Sequence, residues 1–201
     1  MKDKLTTSLR QMSGTVVEML QLIYQGLMEN DAHYLNSALN KERIIDDLEK
    51  RVTTTIVGIA KTLDEKERKG FVLLEQTAQN FERMGDEMRS LIERIEIKIA
   101  EKLLFSDIGV EQYKEVFNKM HESVNLITKF IAEGNNEFLD AVLKNGEQIR
   151  ALIERYRLEH LERLTKGICD PRAANMYFDM LDFTGNIARH CTNIARIHKG
   201  E

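Results

Sequence analysis

Apolar residues recur at three- and four-residue steps along almost the whole of this chain, and no long segment breaks the rhythm. Leu5, Leu9, Met12, Val16, Leu20, Ile23 and Leu27 make a first stripe. Leu35, Leu39, Ile45, Leu48, Val52, Ile56, Ile59 and Leu63 make a second, and Leu74, Phe81, Met84, Met88, Leu91, Ile95 and Ile99 a third. At 3.6 residues per turn this spacing lines up one face of a helix, so the pattern predicts amphipathic helices. A single proline, Pro171, and the absence of tryptophan and of dense turn clusters fit long helices. The run Thr53-Thr54-Thr55-Ile56-Val57 is β-prone, but its neighbours keep the helical period and it is read as helix. Breaks are predicted near Asn30, Asp64, Ser106, Gly134 and Cys169. Asn30-Asp31 supplies a turn and a cap, Asp64 to Gly70 is a charged break or a helix start, and Asp170-Pro171 reads as an N-cap with proline at the first helical position. Six helices of roughly thirty residues, each about 45 Å long, follow from the rise of an α-helix.

The second half repeats the plan of the first. Leu22 to Arg51 match Leu126 to Arg155 at a constant offset of 104, with Leu22, Ile23, Glu29, Leu35, Leu39, Ile45, Leu48 and Arg51 all falling on identical residues. Further on, Phe81-Glu82-Arg83-Met84-Gly85-Asp86 lines up with Leu181-Asp182-Phe183-Thr184-Gly185-Asn186 at an offset of 100. The expectation is an all-α fold of two tandem three-helix bundles, the first over residues 1–106 and the second over 107–201.

Composition narrows the function. Apolar residues at 42% and charged residues at 31% fit a folded domain rather than a disordered one. A net charge of -4 argues against non-specific nucleic-acid or membrane binding, which needs a basic surface. No apolar run reaches the roughly 18 residues of a membrane span, and the start MKDKLTTSLRQM lacks the apolar core of a signal peptide. Cys169 and Cys191 fit no metal or redox spacing and read as free thiols in a reducing cytoplasm, with Cys191 a packing residue. These features are equally compatible with the cytosolic part of a membrane protein.

One acidic pattern stands out. Glu42-x-x-x-Asp46 and Glu82-x-x-x-Asp86 each put two carboxylates on one helical face, where like charges cost a lone helix a few tenths of a kcal/mol. Taken alone, such a pair is an ordinary solvated face, and Lys41, Arg43, Lys50 and Arg83 lie near enough in sequence to pair with it. Here Leu39, Ile45 and Leu48 bracket one pair and Phe81, Met84 and Met88 the other, which places the acids beside a packing seam. If the two helices pack antiparallel, Glu42, Asp46, Glu82 and Asp86 converge. A hard cation with oxygen ligands would compensate them, and carboxylates alone admit iron, zinc, magnesium, manganese or calcium. Gly85 and its counterpart Gly185 sit mid-helix, where glycine costs about 1 kcal/mol against alanine, and predict close helix approach.

The wording of these two segments resembles a known family. "FERMGDEM" is similar to the Glu-Arg-Ile-Gly-Asp segment of the PhoU family, and "KERIIDDLE" resembles that family's other acidic motif. The resemblance spans the whole chain and implies two three-helix repeats that bind metal ions through Glu/Asp-x-x-x-Asp motifs. It implies a metal-binding regulator of phosphate transport and phosphate signalling that acts by protein–protein contact. Such a regulator is stand-alone or forms the cytosolic domain of a sodium/phosphate symporter. The family's Pro-x-x-x-Asp-Leu-Arg segment has no match ahead of Glu82, which points towards the transporter-tail branch. Partners implied are a phosphate transporter or its sensor-kinase system, with the membrane reached only through a partner or a fused transporter. A homodimer is compatible with all of this, nucleic acid is not expected, and the expected location is the cytoplasm. The alternative reading is a structural helical interaction domain with no metal role.

The second repeat departs from the first. Gly146 and Arg150 stand where Glu42 and Asp46 do, and Asp182 and Asn186 where Glu82 and Asp86 do. Arg150 is therefore predicted to approach Asp182, supplying the positive charge that a metal supplies in the first repeat. No histidine follows a glutamate by three, which removes the Glu-x-x-His element of di-iron bundles. His190, four residues after Asn186, reads as a surface or partly buried histidine. No Gly-rich phosphate loop, nucleophile elbow or ordered Ser/His/Asp set is present, so an enzyme is not expected.

Overall fold

The computed structural model describes residues 1–200. Six helices carry the chain: α1 (Lys2–Glu29), α2 (Ala32–Ile59), α3 (Glu65–Ala100), α4 (Asp107–Glu133), α5 (Glu137–Thr165) and α6 (Pro171–Lys199). A 3₁₀ turn over Ala60–Thr62 separates α2 from α3, and no strand occurs among the described residues.

The predicted breaks coincide with local capping chemistry. Asn30 and Gly134 take the left-handed conformation, with φ of 53° and 73°, and end α1 and α4. Asp31 caps α2 by accepting from the His33 N–H at 2.8 Å. Asp64 and Glu67 form a reciprocal capping box, at 2.8 and 3.1 Å, so the charged stretch after Asp64 is a helix start. Ser106 accepts from the Gly109 N–H at 3.2 Å, and Asp170 from the Arg172 N–H at 2.9 Å ahead of Pro171. The threonine run stays helical inside α2. One detail departs from expectation: the second stripe extends to Leu63, whereas the α-helix ends at Ile59 and tightens into the 3₁₀ turn. α3, at 36 residues, is also longer than its neighbours.

Helices α1, α2 and α3 pack on one another, and α4, α5 and α6 do the same. α1 also packs against α4, and α3 against α6. The two bundles thus share a central layer of α1, α3, α4 and α6, with α2 and α5 on the flanks, and one apolar core runs through both. Met12, Val16, Ile23, Phe81, Met84, Met88, Val124, Ile127 and Ile187 are fully buried in it. Each large apolar side chain so buried contributes about 1.5–3 kcal/mol. The faces left outward on α2 and α3 carry the acids.

Gly85 and Gly185 differ in how closely they are packed. A Cβ on Gly185 would lie 2.8 Å from Ile153 Cδ1, so close approach holds there. On Gly85 the nearest atoms would be Glu42 Cγ at 3.7 Å and Ile45 Cγ2 at 3.8 Å, ordinary contact distances. The approach expected at Gly85 is therefore not tight enough to require glycine.

Candidate functional site

The antiparallel pairing of α2 with α3 brings the two acidic motifs to facing positions. The link is Arg89, one turn beyond Asp86. Its guanidinium donates to Glu42 Oε1 at 2.8 Å and to Asp86 Oδ1 at 2.6 Å, tying the motif of α2 to that of α3. Only 15% of the Glu42 side chain is exposed, whereas Arg89 and Asp86 are each near half exposed. Lys50 holds Asp46 at 2.5 Å, the pairing anticipated from sequence. The other candidate cations go elsewhere. Lys41 reaches Glu18 on α1, and Arg83 has no ion-pair or hydrogen-bond partner among the described residues.

Glu82 is the acid left without a cation. Burial, then the neighbouring Asp86, and more distantly Glu49 and Asp46, push its carboxyl pKa above the ordinary glutamate value. Glu82 and Asp86 are one helical turn apart on α3, and the Asp86 carboxylate acts on Glu82 chiefly through its charge. Glu49, whose carboxylate accepts from Thr53 at 2.7 Å, therefore belongs to the same patch. The two basic side chains on the patch do not relieve its charge at Glu82.

All four predicted site residues thus lie on one surface, and Arg89 joins two of them directly. The described residues hold no group of three His, Cys, Asp or Glu side chains already gathered as a coordination shell. With Arg89 in place, Glu42 and Asp86 are turned towards a guanidinium. The donor set consists only of carboxylate oxygens around a group that resists ionising, which suits a hard cation. Glu42, Asp46, Glu82 and Asp86 could hold one once Arg89 swings aside. Arg89 and Glu49 were missed in the sequence, although Asp86-x-x-Arg89 is a helix-neighbour spacing that could have exposed the first.

In the second repeat the equivalent surface is a groove of about 540 Å³ between α5 and α6. Arg150 and Asp182 both line it, but the predicted pair does not form. Arg157 binds Asp182 instead, and Arg150 is exposed with no partner among the described residues. About two helical turns separate the two arginines, and it is Arg157 that reaches Asp182. Asn186 turns to Glu87 of α3 at 3.2 Å. Close packing accounts for Gly146, since a Cβ there would lie 2.3 Å from Thr192 Cγ2. His190 is buried and points to Asn80 of α3, at 3.1 Å, rather than into the groove. Cys191 is fully buried, as its place on the stripe implied.

The family model for the PhoU domain matches residues 9–95, a span from early α1 to late α3 that contains both acidic motifs. Residues 9–95 are thus similar to a PhoU domain. Over its whole length the chain also has the fold of solved PhoU proteins. It is similar to PhoU from Pseudomonas aeruginosa, with a TM-score of 0.89, 16% identity, and coverage of 99% of this chain and 97% of that one. The phosphate transport system regulatory protein PhoU from Streptococcus pneumoniae gives 0.85 at 15% identity, covering 99% and 95%. A PhoU-like phosphate regulatory protein from Shewanella oneidensis MR-1 gives 0.64 at 13%, covering 97% and 94%. Identities this low carry the fold alone. No curated relative matches the sequence. No helix among the described residues is long and apolar enough to cross a membrane.

Proposed function

We propose that this protein is a cytoplasmic regulator of phosphate transport that acts by contact with a transporter or its signalling partners. Its PhoU-like domain would hold a metal ion on the α2/α3 face through Glu42, Asp46, Glu82 and Asp86. The single observation that carries the metal half is Glu82: a partly buried carboxyl grouped with Asp86, Glu49 and Asp46 and without a cation of its own, whose pKa is raised by burial first and by those neighbouring carboxylates second. The regulatory half rests on the PhoU domain match and on what the similar solved proteins are called. A helical module acts on a partner only through contacts that differ between the partner's states. A bound cation would change those contacts by reversing the local charge of the patch. Fusion to a sodium/phosphate symporter and stand-alone action are both consistent with this role.

The test is phosphate accumulation in cells carrying Glu82→Gln with Asp86→Asn, the variant being folded and expressed normally. Altered uptake or an altered phosphate-starvation response is expected. Unchanged behaviour in both would count against the phosphate role. Arg89 favours one competing reading, a structural interaction domain. It already neutralises Glu42 and Asp86, and in that case the patch needs no metal.

A further inference from the structure

On the seam between the two bundles, a cleft of about 330 Å³ opens between α3 and α6. Its charged lining is Arg83 from α3 and Arg196 from α6, joined by the amides of Gln76, Gln79, Asn80 and Asn193. No carboxylate lines it. Neither guanidinium has a hydrogen-bond or ion-pair partner among the described residues. Elsewhere Arg89, Arg94 and Lys199 reach across to carboxylates on neighbouring helices, whereas these two arginines share a cleft that offers none. Even Arg163, inside the second bundle, bonds Gln112, which bonds Glu159 in turn.

The floor of the cleft is ordered rather than merely exposed. Asn80 is 7% exposed, and its side-chain oxygen accepts from His190 Nδ1 at 3.1 Å and from Asn193 at 3.4 Å. Its own amide donates to the Gln76 carbonyl at 2.8 Å. This network fixes α3 against α6 and so fixes the spacing of the two arginines. His190 lies beneath the cleft: burial first, then the charges of Arg189 and Arg83, hold its pKa down at about 4. The imidazole therefore stays neutral, and the positive potential of the cleft is left without an internal answer.

We propose that this cleft binds a tetrahedral oxyanion, a phosphoryl group, clasped between Arg83 and Arg196. Guanidinium groups match the oxygens of such an anion in pairs, and the neutral amides of Gln76, Gln79 and Asn193 add donors without adding charge. A small rigid anion suits the cleft's size, and the phosphoryl group comes either from free phosphate or from a small molecule such as a nucleotide. The cleft does not use the acidic face of α2 and α3, so failure of the metal reading leaves this one standing.

Calorimetric titration of the full chain with inorganic phosphate, sulfate and a nucleoside triphosphate, at matched ionic strength, tests it. Saturable phosphate binding is expected, weakened roughly tenfold or more by either Arg83→Gln or Arg196→Gln, since each removes hydrogen bonds to a charged group. Arg68→Gln, an exposed arginine near the start of the same helix, should leave binding unchanged. Sulfate binding as well as phosphate supports recognition of a free oxyanion, and a tighter nucleotide supports a carried phosphoryl group. If no anion saturates the wild type, or if Arg68→Gln weakens binding as much as the other two, the site does not exist. Shifts of the Asn193 and Gln76 side-chain amide resonances on adding phosphate provide the same answer without any variant, and their absence would refute it.

Discussion

Arg89 is the residue whose removal says most about the acidic face. It makes two ion pairs that cross from α3 to Glu42 and back to Asp86. Exposed pairs are each worth about 0–1 kcal/mol, and the shielding of Glu42 moves its pair to the upper part of that range. Arg89→Gln in metal-free buffer should therefore cost about 1 kcal/mol, read as a fall of about 2–4 °C in Tm for a chain of this size. The same change frees Glu42 and Asp86 for a cation. Manganese or magnesium should then bind the variant more tightly than the wild type. At a hundred times Kd, linkage adds about 2.7 kcal/mol, which reverses the loss. Differential scanning calorimetry of both proteins with and without metal reads the crossover. A variant that is destabilised but no more metal-responsive than the wild type would refute the idea that Arg89 and a cation compete for the same carboxylates.

Four further outcomes follow from the same geometry. Gly85→Ala should stabilise the protein by about 0.5–1 kcal/mol, because the new methyl meets only ordinary contacts and the helix gains propensity; a lower midpoint in urea would contradict that. Arg150→Asp should change stability by no more than about 0.5 kcal/mol, whereas Arg157→Ala should cost up to about 1 kcal/mol through loss of the Asp182 pair, compared by the same denaturation. His190 titrates at about 4 in the fold against an ordinary 6.5, so the unfolded chain takes up its proton first as pH falls. Stability present above pH 6.5 should then drain away towards pH 4, by about 3 kcal/mol at most, and His190→Gln should flatten that loss in a pH series of melts. Glu82→Gln should raise the stability of the metal-free protein at neutral pH, because the raised pKa marks a carboxylate whose charge the fold resists; a fall in Tm would show the opposite.

Much of the fold was legible because helices announce themselves locally. The stripes of α1 to α3, the left-handed ends at Asn30 and Gly134, and the caps at Asp64, Ser106 and Asp170 are all short-range signals, and each is where the sequence put it. The 3₁₀ turn at Ala60–Thr62 was not, since Ile59 and Leu63 keep the same period across it. The candidate site was half legible. Spacing alone put Glu42, Asp46, Glu82 and Asp86 on two faces, but which cation reaches them depends on helix register. Arg83 was a candidate by sequence distance and turns away to α6, while Arg89 was passed over and joins both motifs. The Arg150 pairing failed for a related reason. Repeat alignment fixes which residues correspond, but about two helical turns along α5 decide whether Arg150 or Arg157 meets Asp182.

The central claim is that the α2/α3 face is a cation site. Anomalous scattering from manganese-soaked crystals tests it most directly. The account predicts a peak between the two helices within coordination distance of Glu42, Asp46, Glu82 and Asp86, with Arg89 displaced, and no such peak in Glu42→Gln with Glu82→Gln. Wild-type crystals with no peak there, and Arg89 still bridging Glu42 to Asp86, would contradict it.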